Sequence, residues 1–218
     1  MSLIQLDVDL AVPAADRVAE AARLVRGCAG DHLVVLPELW AAGGWDYSGW
    51  EAGAEPLDGP TARAMADAAR DAGVWLHAGS IVERDADGAR YNTSLMFGPD
   101  GGLRTTYRKV HRFGFDSGEA AIMGPGDGPV VLATPFGTLG FATCYDLRFP
   151  EMFRLLLDAG AEVLVVPAAW PARRVEHWRL LARARAVENQ VFVLACNTAG
   201  TQAGIAQGGH SMVVDPWG

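Results

Sequence analysis

The chain has 218 residues, half of them hydrophobic, and a net charge of −8 with acidic and basic residues interleaved. Such a length holds one sizeable core without demanding two domains, and the charge pattern argues against a nucleic-acid surface. There is no basic start leading into an apolar run and no apolar stretch that would span a bilayer, and three cysteines without framework spacing suit a reducing compartment. Residues 1–218 are therefore expected to form a single cytoplasmic domain.

In chain order, "SLIQLDVDL" alternates apolar and polar residues as a half-buried strand would, and "AADRVAEAARLVRGCAG" follows with helical spacing and a glycine stop. "HLVVLPE" is a short buried strand ending at Pro37, and Trp40, Trp45, Tyr47 and Trp50 crowd the loop after it. "TARAMADAARDAG" predicts a second helix and "VWLHAGSIVER" a strand. "YNTSLMFGPDGGLRTTYRKVH" predicts a hairpin turning at Pro-Asp-Gly-Gly, and "VVLATPFGTLGFATC" repeats the form around Pro-Phe-Gly. A helix over 149–159, the buried strand "AEVLVVPAAW" and the amphipathic helix "VEHWRLLARARAVEN" come next. "QVFVLACNTAG" and "HSMVVDPWG" predict the last strands, which makes an α/β chain.

Seventeen of the eighteen basic residues are arginine, and Lys109 is the one lysine. Either it is a stray in a biased composition, or position 109 needs a compact ammonium that guanidinium does not imitate. Lys109 shares a further property with Glu38 in "VVLPELW" and Cys144 in "GFATCYD": all three are polar residues at the ends of apolar strands, where a rigid scaffold can bring side chains together. Cys28 sits in a helical pattern and Cys196 in an apolar strand, and both read as core residues. No histidine lies within about thirty residues of Cys144, so a conventional histidine base is not at hand in sequence. Glu38 is suited to take the thiol proton, and a nearby ammonium would favour the thiolate.

"VVLPELW", "YRKVHRFGF" and "CYDLRFPE" resemble the glutamate, lysine and cysteine motifs of the carbon–nitrogen hydrolase family, the nitrilase superfamily, from about residue 30 onward. The resemblance implies a four-layer α-β-β-α sandwich, usually assembled as a homodimer or higher homo-oligomer, and no metal or organic cofactor. It also implies that Cys144 attacks the carbon of a small-molecule amide or nitrile while Glu38 shuttles the proton. Lys109 and the backbone N–H of Tyr145 would stabilise the tetrahedral intermediate. The family's second glutamate, which helps hold the lysine, best matches Glu119.

"PAAWPARRVEHWRLLARARAVENQVFVLACNTAG" resembles the omega-amidase branch, which hydrolyses the terminal amide of 2-oxo dicarboxylic acid monoamides such as 2-oxoglutaramate. On that resemblance Trp170 and Arg174 bind substrate, Arg174 by gripping a carboxylate. A surface ion pair is the plain alternative for Arg174, and Asp146 and Arg148 read as a structural pair bracing the turn after Cys144. Other amidases of the family, such as a deaminated-glutathione amidase or a carbamoylase, stay open, as does a non-catalytic binding or assembly module on the same fold. A Cys–His hydrolase would need His111, which reads better as packing behind the lysine. The isochorismatase-like hydrolases, with Asp, Lys and Cys in this order, fit less well because the acidic residue is Glu38 behind Pro37. Family members continue past a "DPWG" stretch with a further strand and a packing segment. This chain stops at Gly218, which reads as a truncation or a short member.

Overall fold

The computed structural model describes residues 1–218. The first half of the chain builds one sheet from β1 (Ser2–Leu3), β2 (Leu33–Val35), β3 (Trp75–Arg84), β4 (Arg90–Phe97) and β5 (Leu103–Arg108), in that spatial order. β1 to β3 run parallel and β3 to β5 antiparallel. The second half builds another from β6 (Val130–Thr134), β7 (Gly137–Phe141), β8 (Val163–Ala168) and β9 (Phe192–Asn197). A small hairpin, β10 (Thr201–Gln202) and β11 (Ile205–Ala206), precedes β12 (Met212–Val214), which pairs antiparallel with β9 at the far edge.

Helices α1 (Ala14–Arg26) and α3 (Pro60–Ala72) cover the first sheet, with the single turns α2 (Trp50–Gly53) and α4 (Glu119–Ile122) in its long loops. Helices α5 (Pro150–Asp158) and α6 (Val175–Asn189) cover the second. Local signals set their ends: Pro60 and Pro150 begin α3 and α5, where a missing N–H costs nothing, and Gly73 ends α3 in the left-handed conformation.

Alternation along the strands explains the four layers. Val34, Leu36, Leu76, Leu95 and Phe97 pack with α1 and α3 residues such as Ala21, Val25, Met65 and Ala68. Leu33, Val35 and Met96, on the opposite face, pack with Leu139, Phe141 and Val165 of the second sheet. Strands covered on both faces read as continuous apolar runs, as "LVV" and "VLVVPA" do. The α-β-β-α sandwich is thus the observed architecture. No helix is long and apolar enough to cross a membrane.

Two local expectations differ from the structure. Of the predicted first strand only Ser2–Leu3 pairs as β1, with a lone bridge from Asp7 to Ala199 further on. Its partner β2 stops at Val35, two residues before Pro37, which has no N–H to extend a ladder. Ahead of α5, where the sequence predicted no element, a 3₁₀ helix covers Cys144–Arg148.

Candidate active site

The turn that carries Glu38 is held by a bulge in β3. The β3–β4 register shifts between His77 and Ser80, and Gly79 there has φ +68°. A Cβ on Gly79 would lie 1.8 Å from the Pro37 carbonyl oxygen, so the close approach of the two segments requires glycine. Trp40 Nε1 donates to the Ala78 carbonyl at 2.9 Å, and the Leu39 N–H donates to Ser80 Oγ at 3.1 Å. Leu39 itself is left-handed, with φ 45°. The glutamate therefore leaves the strand on a backbone fixed from the neighbouring strand.

Cys144 opens the 3₁₀ helix and has φ 48°, a conformation that costs a non-glycine residue and persists only where its surroundings impose it. The helix is tied from inside. Asp146, fully buried, accepts hydrogen bonds from the Thr143 N–H at 2.8 Å, Tyr107 Oη at 2.7 Å and the His111 N–H at 2.9 Å. His111 Nδ1 lies 2.8 Å from the same carboxylate, and its ring stacks on Phe149 at 3.7 Å. His111 is thus occupied behind the helix. Arg185 of α6 donates to the Leu147 carbonyl from Nε and Nη2, at 3.2 and 2.9 Å. The expected Asp146–Arg148 brace does not form, because residues two apart on a 3₁₀ turn leave it on different sides. Asp146 and Arg185 are the brace. Arg148 instead lies over the Trp170 ring at 4.9 Å and lines the cavity.

Glu38, Lys109, Glu119, Cys144, Tyr145, Trp170 and Arg174 all line one cavity, together with Arg148, Tyr47 and Phe113. Lys109 is buried just past the end of β5, and its Nζ donates to Glu38 Oε1 and Glu119 Oε2, each at 2.8 Å. An ammonium has three N–H donors, so one remains for a ligand. Glu119 is the first residue of α4 and also accepts the Phe113 N–H at 2.8 Å. Glu38 Oε2 accepts the Ala169 N–H at 2.8 Å. Tyr145 stands in the first turn of the 3₁₀ helix, where backbone N–H groups lack partners within the helix. The Trp170 indole donates to the Arg174 carbonyl at 2.8 Å, and the Arg174 guanidinium lies 5.0 Å from the Phe113 ring.

The electrostatics follow from this packing. Burial opposes the Lys109 charge, but the Glu119 and Glu38 carboxylates outweigh it and hold the ammonium well above the ordinary lysine range. Burial also pushes Glu119 up, with Lys109 pulling against it. Cys144 goes the opposite way from the thiolate expected in sequence. Loss of water around it, then the Glu38 charge, push the thiol well above the ordinary cysteine range, and Lys109 offsets this only in part. The ammonium is shared between two carboxylates, so its pull on Cys144 does not overcome the burial that favours the thiol. Burial and the neighbouring Arg173 and Arg148 lower Arg174, whose guanidinium meets two like charges before any substrate arrives.

Two residues at this site were missed in sequence. Arg148 was read as structural. Asn92 of β4 donates from Nδ2 to Glu38 Oε1 and to Glu119 Oε1, both at 2.8 Å. The only signal for Asn92 was a fully polar amide inside the strand "YNTSLMF".

The carbon-nitrogen hydrolase profile matches residues 8–218. The 2-oxoglutaramate amidase of Paenarthrobacter nicotinovorans is 42% identical over 222 residues, covering 99% of this chain and 76% of that protein. Omega-amidase NIT2 of Mus musculus is 38% identical over 233 residues, covering 100% of this chain and 81% of its own length. Among solved structures, a mutant amidase from Nesterenkonia sp. AN1 superposes with a TM-score of 0.84 at 25% identity, covering 99% of this chain and 82% of that one. It carries the acetamide moiety of fluoroacetamide covalently on its active-site cysteine.

Proposed function

The chain belongs to the carbon-nitrogen hydrolase family, and from that premise we propose that it hydrolyses the terminal amide of a small carboxylate-bearing substrate such as 2-oxoglutaramate, releasing ammonia. Glu38 takes the Cys144 proton as Sγ attacks the amide carbon. The oxyanion meets the free N–H of Lys109 and the Tyr145 N–H, placed before the reaction and needing no reorganisation. Collapse breaks the C–N bond, Glu38 returns the proton to the departing nitrogen, and a thioester remains. Water, deprotonated by Glu38, then attacks the thioester, freeing the carboxylic acid and restoring the thiol. Glu119 keeps Lys109 charged and in place. Arg174, beside Trp170 and Arg148, reads the substrate carboxylate.

The observation that carries this reading is a thiol, a proton acceptor and a fixed cation meeting on one cavity, among whose walls Arg174 has arginines and no carboxylate for charged neighbours. The names of the two amidase relatives point to the same substrate class. The test is ammonia release from 2-oxoglutaramate, 2-oxosuccinamate, deaminated glutathione, N-carbamoyl amino acids and simple nitriles, with Cys144→Ala as the control. Preference for the N-carbamoyl amino acids, or equal turnover of the neutral nitriles, would replace it.

Residues 1–218 are proposed to act as one domain and to assemble as a homodimer, for which exposed Leu155 of α5 and Leu180 and Val187 of α6 offer apolar surface. Light scattering tests the assembly. Three unpaired cysteines support a cytoplasmic location.

A further inference from the structure

Asn92 is 1% exposed and has no part in the chemistry above. Yet its side chain bridges Glu38 and Glu119, and its backbone carbonyl accepts the Lys109 N–H at 2.9 Å. Its neighbours dictate the orientation of the amide, because a flip would set a carbonyl oxygen against two carboxylate oxygens. In the orientation adopted, Oδ1 is buried without a partner. An orphaned carbonyl opposes folding, and a β-branched apolar residue would fill a strand position without it. A residue that breaks a local rule here serves something other than the fold.

Counting lone pairs shows what it serves. Each carboxylate oxygen offers two. On Glu38, Oε1 has both filled, by Lys109 Nζ and Asn92 Nδ2, while Oε2 accepts only the Ala169 N–H. One open position is left, on Oε2. On Glu119, which lines the cavity, Oε2 accepts Lys109 and the Phe113 N–H, while Oε1 accepts Asn92 and keeps one position open.

We propose that Asn92 is a positioning residue of the active site: by occupying Oε1 of both glutamates it leaves Glu38 Oε2 as the single acceptor for the Cys144 proton and one Glu119 lone pair for an N–H of the substrate amide. The inference rests on the proton-shuttling role given to Glu38 under the proposed function. Removing the amide frees a lone pair on Glu38 Oε1 beside Lys109, so the proton has two destinations instead of one. It also removes one of the hydrogen-bond donors that hold the carboxylate beside the thiol. The titratable groups that act on this pair are Lys109, Cys144 and Tyr47, with Tyr107 acting on Glu119.

Asn92→Ala and Asn92→Asp test this, with Thr93→Val as the control. Thr93 is the next residue on β4, equally buried, and donates to Glu83 at 2.6 Å on the other side of the strand. Two readouts are needed. One is steady-state ammonia release from 2-oxoglutaramate. The other is the pH dependence of Cys144 alkylation by limiting iodoacetamide, followed by mass spectrometry, which needs no substrate. Asn92→Ala should lower kcat about 100-fold with KM little changed. The midpoint on the acid side of its alkylation profile should rise by about one pH unit. Asn92→Asp adds a third carboxylate and should raise that midpoint further. Being isosteric, it carries the test if the alanine variant does not fold. Thr93→Val should lower thermal stability and leave the midpoint alone. A midpoint moved by less than about 0.3 unit in the Asn92 variants, or moved equally in Thr93→Val, would overturn the proposal. Shifted midpoints without ammonia release from any amide by the wild type would support the role of Asn92 and defeat the amidase reading instead.

Discussion

Arg108 and Lys109 are neighbours in sequence, and each is tied to a buried glutamate, but the two ion pairs are built for different ends. Arg108 meets Glu83 twice, Nη2 to Oε1 at 2.6 Å and Nε to Oε2 at 2.9 Å, while Thr93 adds a bond to Oε2 and the guanidinium stacks on Tyr91 at 3.7 Å. That pair is closed. A planar fork matches a carboxylate, an aromatic ring covers one face, and no cavity-facing donor is needed. Lys109 meets two glutamates with single bonds and keeps a donor, while Glu38 keeps a lone pair beside a thiol. The difference is one of unused valence: the Arg108 pair saturates itself, and the Lys109 pair leaves a defined donor and acceptor open.

The largest effect should come from closing the open site with the wrong cation. Lys109→Arg keeps the charge but replaces a compact ammonium with a wide planar group. Steady-state ammonia release should show kcat down about 100- to 1,000-fold, as when one oxyanion donor is lost. A folded variant retaining more than about a tenth of wild-type kcat would make the lysine an accident of composition.

His77 supplies a contrast to both pairs, a buried titratable group with no charged partner. It lies between the sheets, stacked on Phe141 at 5.6 Å, and its Nδ1 accepts the Gly79 N–H at 3.2 Å. Burial lowers it to about 4. Because the folded protein keeps it neutral, its contribution is fully present above the ordinary histidine value. It declines as the pH falls from about 6.5 toward 4, reaching roughly 3 kcal/mol of lost stability. Urea melts over that range should show the decline, and His77→Asn, which keeps an acceptor near Nδ1, should flatten it. A decline unchanged in the variant would assign acid lability to other groups.

Arg174→Ala removes a cavity-lining cation that, unlike Arg108, has no carboxylate partner. KM for carboxylate-bearing amides should rise by the worth of a charge-assisted hydrogen bond, about 1.5–3 kcal/mol, and neutral amides should change far less. Equal losses on both would leave Arg174 as structure. The smallest effect belongs to Arg108→Lys. It breaks the fork geometry of a partly exposed pair, so thermal melts should register about 1 kcal/mol while kcat stays near wild type. A large fall in kcat with intact folding would erase the distinction between the two pairs.

Much of this was legible along the chain because it is local. The hairpins, the helix stops and the apolar run of β2 were written in turn residues and composition, and the three motif segments carried Glu38, Lys109 and Cys144. Glu119 was findable through its loop, although not its place at the start of α4. Asn92 was not findable by the same means. β4 is covered on both faces, so "YNTSLMF" has no solvated side against which a functional amide would stand out. Arg148 was misread because nearness in sequence suggested a pair that a 3₁₀ turn keeps apart.

The chain by itself determined which chemical groups are available and the strand ends on which they stand, since propensity, capping and periodicity act over a few residues. Only the tertiary structure decided their state. Glu38 and Lys109 stand 71 positions apart, and Asn92 is 54 from Glu38. Whether Cys144 rests as thiol or thiolate, and which oxygen of Glu38 is open to its proton, depend on distances between such segments. Coulomb interactions and lone-pair occupancy are set by separation in space and by exclusion of water. Neither quantity exists until the two sheets have closed on one another.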